Sequence, residues 1–457
     1  MSMVDTSWRW AVRSVIFPLQ ERLKGHSTFA MLREMEQDER RPAAELQELQ
    51  QRRLRQFLKQ AAVDVPYYCE LFCERGIDGG TPIEKIPFLT KDIIRSNRER
   101  MKSRNAGKVI TFNTGGSTGE PLVFYLGPTR VSSDVAARWR AESWWGLGIG
   151  DREYVIWGAP IELNKQDRVR MLRDQVMRTR LFSAFEMSPE VMTRYLDEMF
   201  RAKAPRVFGY PSCIALLCEH ARAQGRDLKK LGTKAVFVTA EYLWDHWRQT
   251  IAESFGCPVV NGYGGRDAGF LAQECPAGGM HITADRLLLE MIGEDGQPLP
   301  AGETGEIVVT HFDTPEMPFI RYRTGDMGAL ASKPCSCGRT LPLLERVEGR
   351  KTDFIVAPDG RIMHGLSVIY VLREIEGIEK FRIHQKGLTE FDIAIVRRAN
   401  YDAGSETRIR QGLEKRLKAA LTVDIRYVDQ IPVAASGKYR YVISDVAATA
   451  VTTAAVG

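Results

Sequence analysis

The sequence has no unbroken apolar run of the roughly 18–20 residues needed to cross a bilayer, so no transmembrane helix is expected. It also lacks the dense cysteine spacing of a small disulfide-stapled domain. Its eight cysteines are scattered over 457 residues, and a reducing cytoplasm is the expected setting. Strong charge of one sign is missing too. The net +6 is spread along the chain, which argues against a nucleic-acid binder and leaves small anionic ligands compatible. There is no internal repeat. The N-terminal stretch has neither a continuous apolar core nor a small-residue cleavage site, so it makes a poor signal peptide. There, Trp8, Trp10, Val12, Ile16 and Phe17 mix with Arg9, Arg13, Arg22 and Lys24. That pattern leaves peripheral membrane contact open. Pro18 interrupts it, and packing against the protein's own body is the expected role.

The chain is too long for one ordinary domain, and two or three are expected. Residues 28 to 104 read as mostly helical. Leu46, Leu49, Leu54, Phe57, Leu58 and Ala61 form an apolar stripe, Pro66 breaks it, and Thr90 is placed to cap a short helix. Strands then alternate with helices. Tyr154–Trp157, Val207–Gly209, Ala235–Thr239 and Val259–Asn261 read as strands, with Ser212 expected to cap a helix running to about Gln224. This argues an α/β fold with parallel sheets, whose ligands sit beyond the strand C-termini, where Gly209, Glu241 and Gly262 fall. Residues 281 to 330 form a β-rich subdomain. Composition shifts again near 350, where a small C-terminal α+β domain begins, with a frayed tail from about Val446.

The richest motif is Thr114-Gly115-Gly116-Ser117-Thr118-Gly119-Glu120-Pro121. Glycines allow close backbone approach, and hydroxyls beside exposed N–H groups suit a phosphate cradle. No Gly-Lys-Ser/Thr ends it, so it is not a Walker A loop, and a hairpin turn is the alternative. Further motifs follow in order: Tyr263-Gly264-Gly265-Arg266-Asp267, Tyr322-Arg323-Thr324-Gly325-Asp326, Gly349-Arg350-Lys351-Thr352-Asp353 and Ala435-Ser436-Gly437-Lys438-Tyr439.

This order resembles the adenylate-forming superfamily of acyl-CoA synthetases and adenylation domains, over about residues 30 to 444. Five features are similar to its phenylacetate-CoA ligase-like branch, which includes relatives from capsular polysaccharide biosynthesis. They are Val65-Pro66-Tyr67-Tyr68, Ile86-Pro87-Phe88-Leu89-Thr90-Lys91, Gly209-Tyr210-Pro211-Ser212, Pro334-Cys335-Ser336-Cys337-Gly338-Arg339 and the ending Ser436-Gly437-Lys438-Tyr439-Arg440-Tyr441.

The resemblance implies an ATP-dependent acid ligase that forms an acyl-adenylate, releases pyrophosphate and then transfers the acyl group to CoA. Residues 1–347 would bind ATP and the acid, 348–353 would be the hinge, and 354–457 would form a mobile lid. It implies that Thr114, Gly115, Gly116, Ser117, Thr118 and Gly119 hold the phosphates. Asp326 would take the ribose hydroxyls, and Arg350 would reach ribose or phosphate. Glu241, Tyr263 and Gly264 would line the nucleotide site. Lys438 would meet the α-phosphate and the substrate carboxylate, while Asp267 would help hold Mg2+. Trp157, Tyr210, Gly264 and Gly265 would line the acid pocket, with an aromatic acid as the family's default substrate. Thr352 or Asp353 would serve as the pivot. Plainer roles stay open: a turn aspartate at 326, an Arg350–Glu348 pair and a solvated Lys438.

The chain departs from the family pattern in Arg266-Asp267, where a hydroxyl and a glutamate are usual, in Thr352 at an ordinarily acidic hinge, and in Glu120. Arg266 would pair with Asp267 or meet an anionic substrate. Cys275, His281, Cys335 and Cys337 form a second constellation. Three thiolates and an imidazole suit tetrahedral Zn2+ in a closed, structural site, as some relatives carry, and two unrelated thiol turns are the alternative. An amine, hydroxyl or carrier-protein acceptor in place of CoA, a non-catalytic zinc-bearing scaffold, and a homodimer also stay open.

Overall fold

A computed structural model describes residues 3–113, 122–158, 173–184, 187–347, 354–359, 362–373, 375–398, 400–402, 404–431 and 441–446. They separate into two units, one of residues up to 347 and one from 354 onward.

In the first unit the helical region is as the stripe predicts. Helix Ala43–Asp64 buries Leu46, Leu49, Leu54, Phe57, Leu58 and Ala61. Pro66 then sits at the first turn of helix Pro66–Arg75, where a missing N–H costs nothing. Thr90 accepts the Ile93 N–H at 3.3 Å and caps helix Lys91–Asn97.

A small hairpin pairs β1 (Ile110–Asn113) with β2 (Val123–Leu126). The main sheet uses β3 (Glu153–Trp157), β4 (Thr179–Ser183), β5 (Arg206–Gly209), β6 (Ala235–Val238), β7 (Val259–Gly265), β8 (Gly269–Glu274), β9 (Met280–Ile282), β10 (Leu287–Ile292), β11 (Gly305–His311), β12 (Tyr322–Leu330) and β13 (Leu343–Val347). Its order is β10-β11-β12-β13-β9-β8-β7-β6-β5-β3-β4. From β4 to β7 every pairing is parallel, and from β7 onward every pairing is antiparallel. The α/β core and the β-rich subdomain expected from sequence are therefore two halves of one sheet, and β7 belongs to both.

Arg321 fastens the helical layer to that sheet. Its guanidinium is 2% exposed and grips Glu290 through two bonds of 3.1 and 2.9 Å. It also donates to the carbonyls of Glu84 and Ile86 and stacks over Phe88 at 4.2 Å. The Ile86–Leu89 motif thus serves as a carbonyl clamp on a buried cation.

The second unit is α+β. Strands β16 (Ile378–Gln385), β17 (Glu390–Arg397), β18 (Thr422–Tyr427) and β19 (Val442–Ser444) run in the order β18-β17-β16-β19. They follow a short hairpin of β14 (Phe354–Val356) and β15 (Ile362–His364). Helices Leu366–Arg373 and Ser405–Leu417 bring Val368, Leu372, Ile409 and Leu413 onto Phe381, Ile383, Ile393 and Ile395.

Candidate nucleotide and acid site

The C-terminal ends of β3, β5, β6 and β7 lie side by side, and the expected site residues follow them. Trp157 ends β3, and Tyr210 follows β5. Their rings stack with centroids 4.3 Å apart and planes 17° from parallel, a flat aromatic wall. Gly209 permits this because a Cβ there would meet the Ile156 carbonyl oxygen at 2.3 Å. Burial pushes the Tyr210 phenol pKa up, which keeps it neutral.

Sequence places Ser212 as a helix cap, and the structure corrects this. Pro211 takes the first turn of helix Pro211–Ala223, so Ser212 lies inside the helix and the cap position falls to Tyr210, whose side chain makes no capping bond. The acceptor comes from elsewhere. Ser212 donates its N–H to Glu241 at 3.1 Å and its hydroxyl at 3.0 Å. A carboxylate at a helix N-terminus satisfies an orphan donor and complements the dipole. Ala240, at φ +71°, bears left-handed strain that turns Glu241 inward. Burial lifts the Glu241 pKa to about 7, against the two bonds from Ser212.

On β7, a register shift between Tyr263 and Gly264 interrupts the pairing with β8. The Tyr263 hydroxyl donates to Asp326 at 3.1 Å. Asp326 sits after Gly325, at φ +79°, and its own N–H is held by Thr324 Oγ1 at 3.1 Å. Gly264 passes so close to Gly269 that a Cβ would meet the Gly269 carbonyl oxygen at 2.4 Å.

Asp267 accepts the Tyr322 hydroxyl at 2.5 Å and the Ala268 N–H at 3.2 Å. Sequence reasoning missed the Tyr322 partner. Its place in Tyr322-Arg323-Thr324-Gly325-Asp326 was visible, but its aim was not. Arg266 donates to the Asn113 carbonyl at 3.4 Å and lies 5.7 Å from the Phe112 ring. Among the described residues no ion pair joins it to Asp267. Gly265 ends β7 beside them. The residues expected at the phosphates (Thr114, Gly115, Gly116, Ser117, Thr118 and Gly119), together with Glu120, Arg350, Thr352, Asp353 and Lys438, lie outside the described residues.

The structure brings Cys275, His281, Cys335 and Cys337 together, with their ligand atoms all within 4.8 Å of one another. Cys275 follows β8 and His281 is in β9, while Cys335 and Cys337 lie in the turn before β13. Leu343 of β13 pairs with His281. Cys275 and Cys335 sulfurs are 3.5 Å apart, and His281 Nε2 is 3.2 Å from Cys337 Sγ. Tetrahedral Zn–S bonds of about 2.3 Å would put sulfurs about 3.8 Å apart, so the donors fit zinc. His281 Nδ1 meets the Leu341 carbonyl at 3.0 Å, which directs Nε2 to the cluster. Burial lowers the His281 pKa and favours the neutral ring a metal needs. Burial raises the Cys275 thiol to about 11, a cost that a bound cation would reverse. Gly279 must lack a side chain, because a Cβ would meet Cys335 Sγ at 2.7 Å. Gly278 and Gly279 also line a cleft of about 370 Å3, together with Tyr242, Leu243 and Asn261.

This sheet has the architecture of the adenylate-forming ligases. A solved 2-hydroxyisobutyryl-CoA ligase in complex with 2-HIB-AMP and CoA superposes with a TM-score of 0.63 at 20% identity, over 92% of this chain and 94% of that one. The chain is homologous to CapK and to phenylacetate-CoA ligases. Protein CapK of Staphylococcus aureus is 23% identical over 89% of this chain and 91% of its own. The phenylacetate-coenzyme A ligase of Thermus thermophilus is 28% identical over 69% and 72%. Residues 355–445 match the CapK C-terminal domain family.

Proposed function

We propose that this chain activates a carboxylic acid with ATP and transfers the acyl group to CoA. Its class is AMP-forming acid ligase, as for its homologues. The observation that carries the reading is Tyr263 bonded to Asp326 at the strand where the parallel half of the sheet becomes antiparallel. A carboxylate has lone pairs for more than one donor, so Asp326 can take a ribose hydroxyl while Tyr263 orients it.

In the first step a carboxylate oxygen attacks the α-phosphorus, the bond to the bridging oxygen breaks, and pyrophosphate leaves. In the second, the CoA sulfur attacks the acyl carbon and AMP leaves. Positioned donors and cations stabilise the charge on phosphorus. Thr114 to Gly119, Arg350 and Lys438 are assigned that work, with Thr352 or Asp353 as pivot between the two steps. Asp267 fits as a hold for Mg2+, since two of its roughly four lone-pair positions are taken. Bound there, the cation would neutralise phosphate charge. The stacked Trp157–Tyr210 wall supports an aromatic acid. The Cys275, His281, Cys335 and Cys337 cluster is assigned structural zinc.

Lys438→Ala should abolish acid-dependent ATP–pyrophosphate exchange with thermal melting unchanged, and unaltered exchange would reject the role of Lys438. Product masses after supplying CoA, an amine or a carrier protein separate the acceptors.

A further inference from the structure

The N-terminal helical segment is two-faced in a way the fold does not use. It runs as helix Met3–Ala11, a π-helical turn Val12–Ile16, and helix Phe17–Leu23. One face packs on the body. Val12 and Phe17, five residues apart, are both buried, and the π turn makes that spacing about one turn. Phe17 meets Phe29 and Trp139 edge-on, and Arg9 pairs with Asp151 at 3.0 Å. Packing against the body, as expected from sequence, thus describes this face only.

The other face carries Val15, Leu19 and Leu23 at four-residue steps, which places them in one stripe. They are 50%, 55% and 80% exposed, and Trp10 upstream is 63% exposed. Among the described residues most other exposed large apolar side chains stand singly or as neighbours in a loop, so this continuous stripe is the one that asks for a partner.

We propose that this stripe docks on an anionic membrane surface. Charge complementarity selects that occupant. Arg13, Arg22 and Lys24 are exposed beside the stripe. From Thr6 to Gly25 the only carboxylate is Glu21, which is buried, bonded to Thr28 at 2.5 Å and His26 at 3.1 Å, and paired with Lys24 at 3.9 Å. A second copy meeting this face about a two-fold axis would set Arg13 and Arg22 against the same cations, with no carboxylate from Thr6 to Gly25 beyond the buried Glu21 to answer them. Anionic headgroups answer Arg13 and Arg22, and the apolar stripe enters the acyl boundary between them. The segment lies on the surface: one face is occupied by the protein, and no described helix is long and apolar enough to cross a membrane.

The test is flotation of the full chain with phosphatidylcholine vesicles with and without phosphatidylglycerol, beside L19E/L23E and R13Q/R22Q variants. Both sites are exposed, so melting temperature and pyrophosphate exchange should match the unmodified chain. The expected result is flotation with anionic vesicles only, weakened at least tenfold in L19E/L23E and reduced by salt or by R13Q/R22Q. No flotation with anionic vesicles, or equal flotation of L19E/L23E, overturns the proposal. A dimer by light scattering that L19E/L23E converts to monomer, without lipid binding, assigns the face to a second copy and overturns it too.

Discussion

Glu241 holds Ser212 twice, through the backbone N–H at 3.1 Å and the hydroxyl at 3.0 Å, and so ties the loop after β6 to the helix that follows Tyr210. Burial raises the Glu241 pKa from 4.5 to about 7, so the folded state binds this proton more tightly than the unfolded chain does. The stabilisation this brings is complete below pH 4.5 and is lost as pH rises through about 7. At ~1.4 kcal/mol per pKa unit it is on the order of 3 kcal/mol. Urea unfolding across pH 4.5 to 7.5 should show this fall in the unmodified chain and its absence in Glu241→Gln. Parallel curves for the two proteins would remove Glu241 as the titrating group.

The Tyr263–Asp326 bond gives a kinetic prediction. Asp326→Ala should raise the KM for ATP in pyrophosphate exchange by about tenfold or more, the scale of one hydrogen bond to a charged group. Tyr263→Phe should raise it less, because it removes only the orienting donor. An effect confined to the KM for the acid would move Asp326 away from the nucleotide.

What could be read from the sequence divides by distance along the chain. Local periodicity located the stripe of helix Ala43–Asp64 and the Thr90 cap, because both depend on neighbours within a turn. It misjudged Ser212 because Pro211 already opens the helix, and the carboxylate that serves that end, Glu241, comes from another strand's loop. The Cys-x5-His and Cys-x-Cys spacings were visible, but the pairing of β9 with β13 that joins them was not. Arg321 carries no signal in the sequence, since Glu84, Ile86 and Glu290 become its partners only in the folded sheet. The exposed side of the N-terminal helix was hidden because the π turn shifts the buried spacing to five residues.

Arg321→Met should be among the most damaging substitutions away from the site. It leaves the buried Glu290 without its counter-ion, and burial already pushes that carboxyl upward in pKa. Breaking such a pair from one side costs about 3–5 kcal/mol. The double variant Arg321→Met/Glu290→Leu should recover part of that loss in urea unfolding, because no charge is left stranded. A double variant no more stable than the single one would show that the bonds to Glu84 and Ile86, rather than the ion pair, dominate.

The cysteine cluster predicts about one zinc per chain when the protein is purified without chelators. The four donors close a tetrahedral set, so removing the metal should act on stability before chemistry. Chelation or Cys335→Ser should lower the melting temperature and loosen the β8–β9 turn, where Gly278 and Gly279 line the cleft. Gly279→Ala is a sharper probe. Its Cβ would meet Cys335 Sγ at 2.7 Å, so it should weaken zinc retention while leaving every ligand in place. Metal analysis after competition with a chromophoric chelator measures this directly. Stoichiometric zinc in the unmodified chain with faster loss from Gly279→Ala is the expected result, whereas no zinc in either would reduce the cluster to two packed thiol turns.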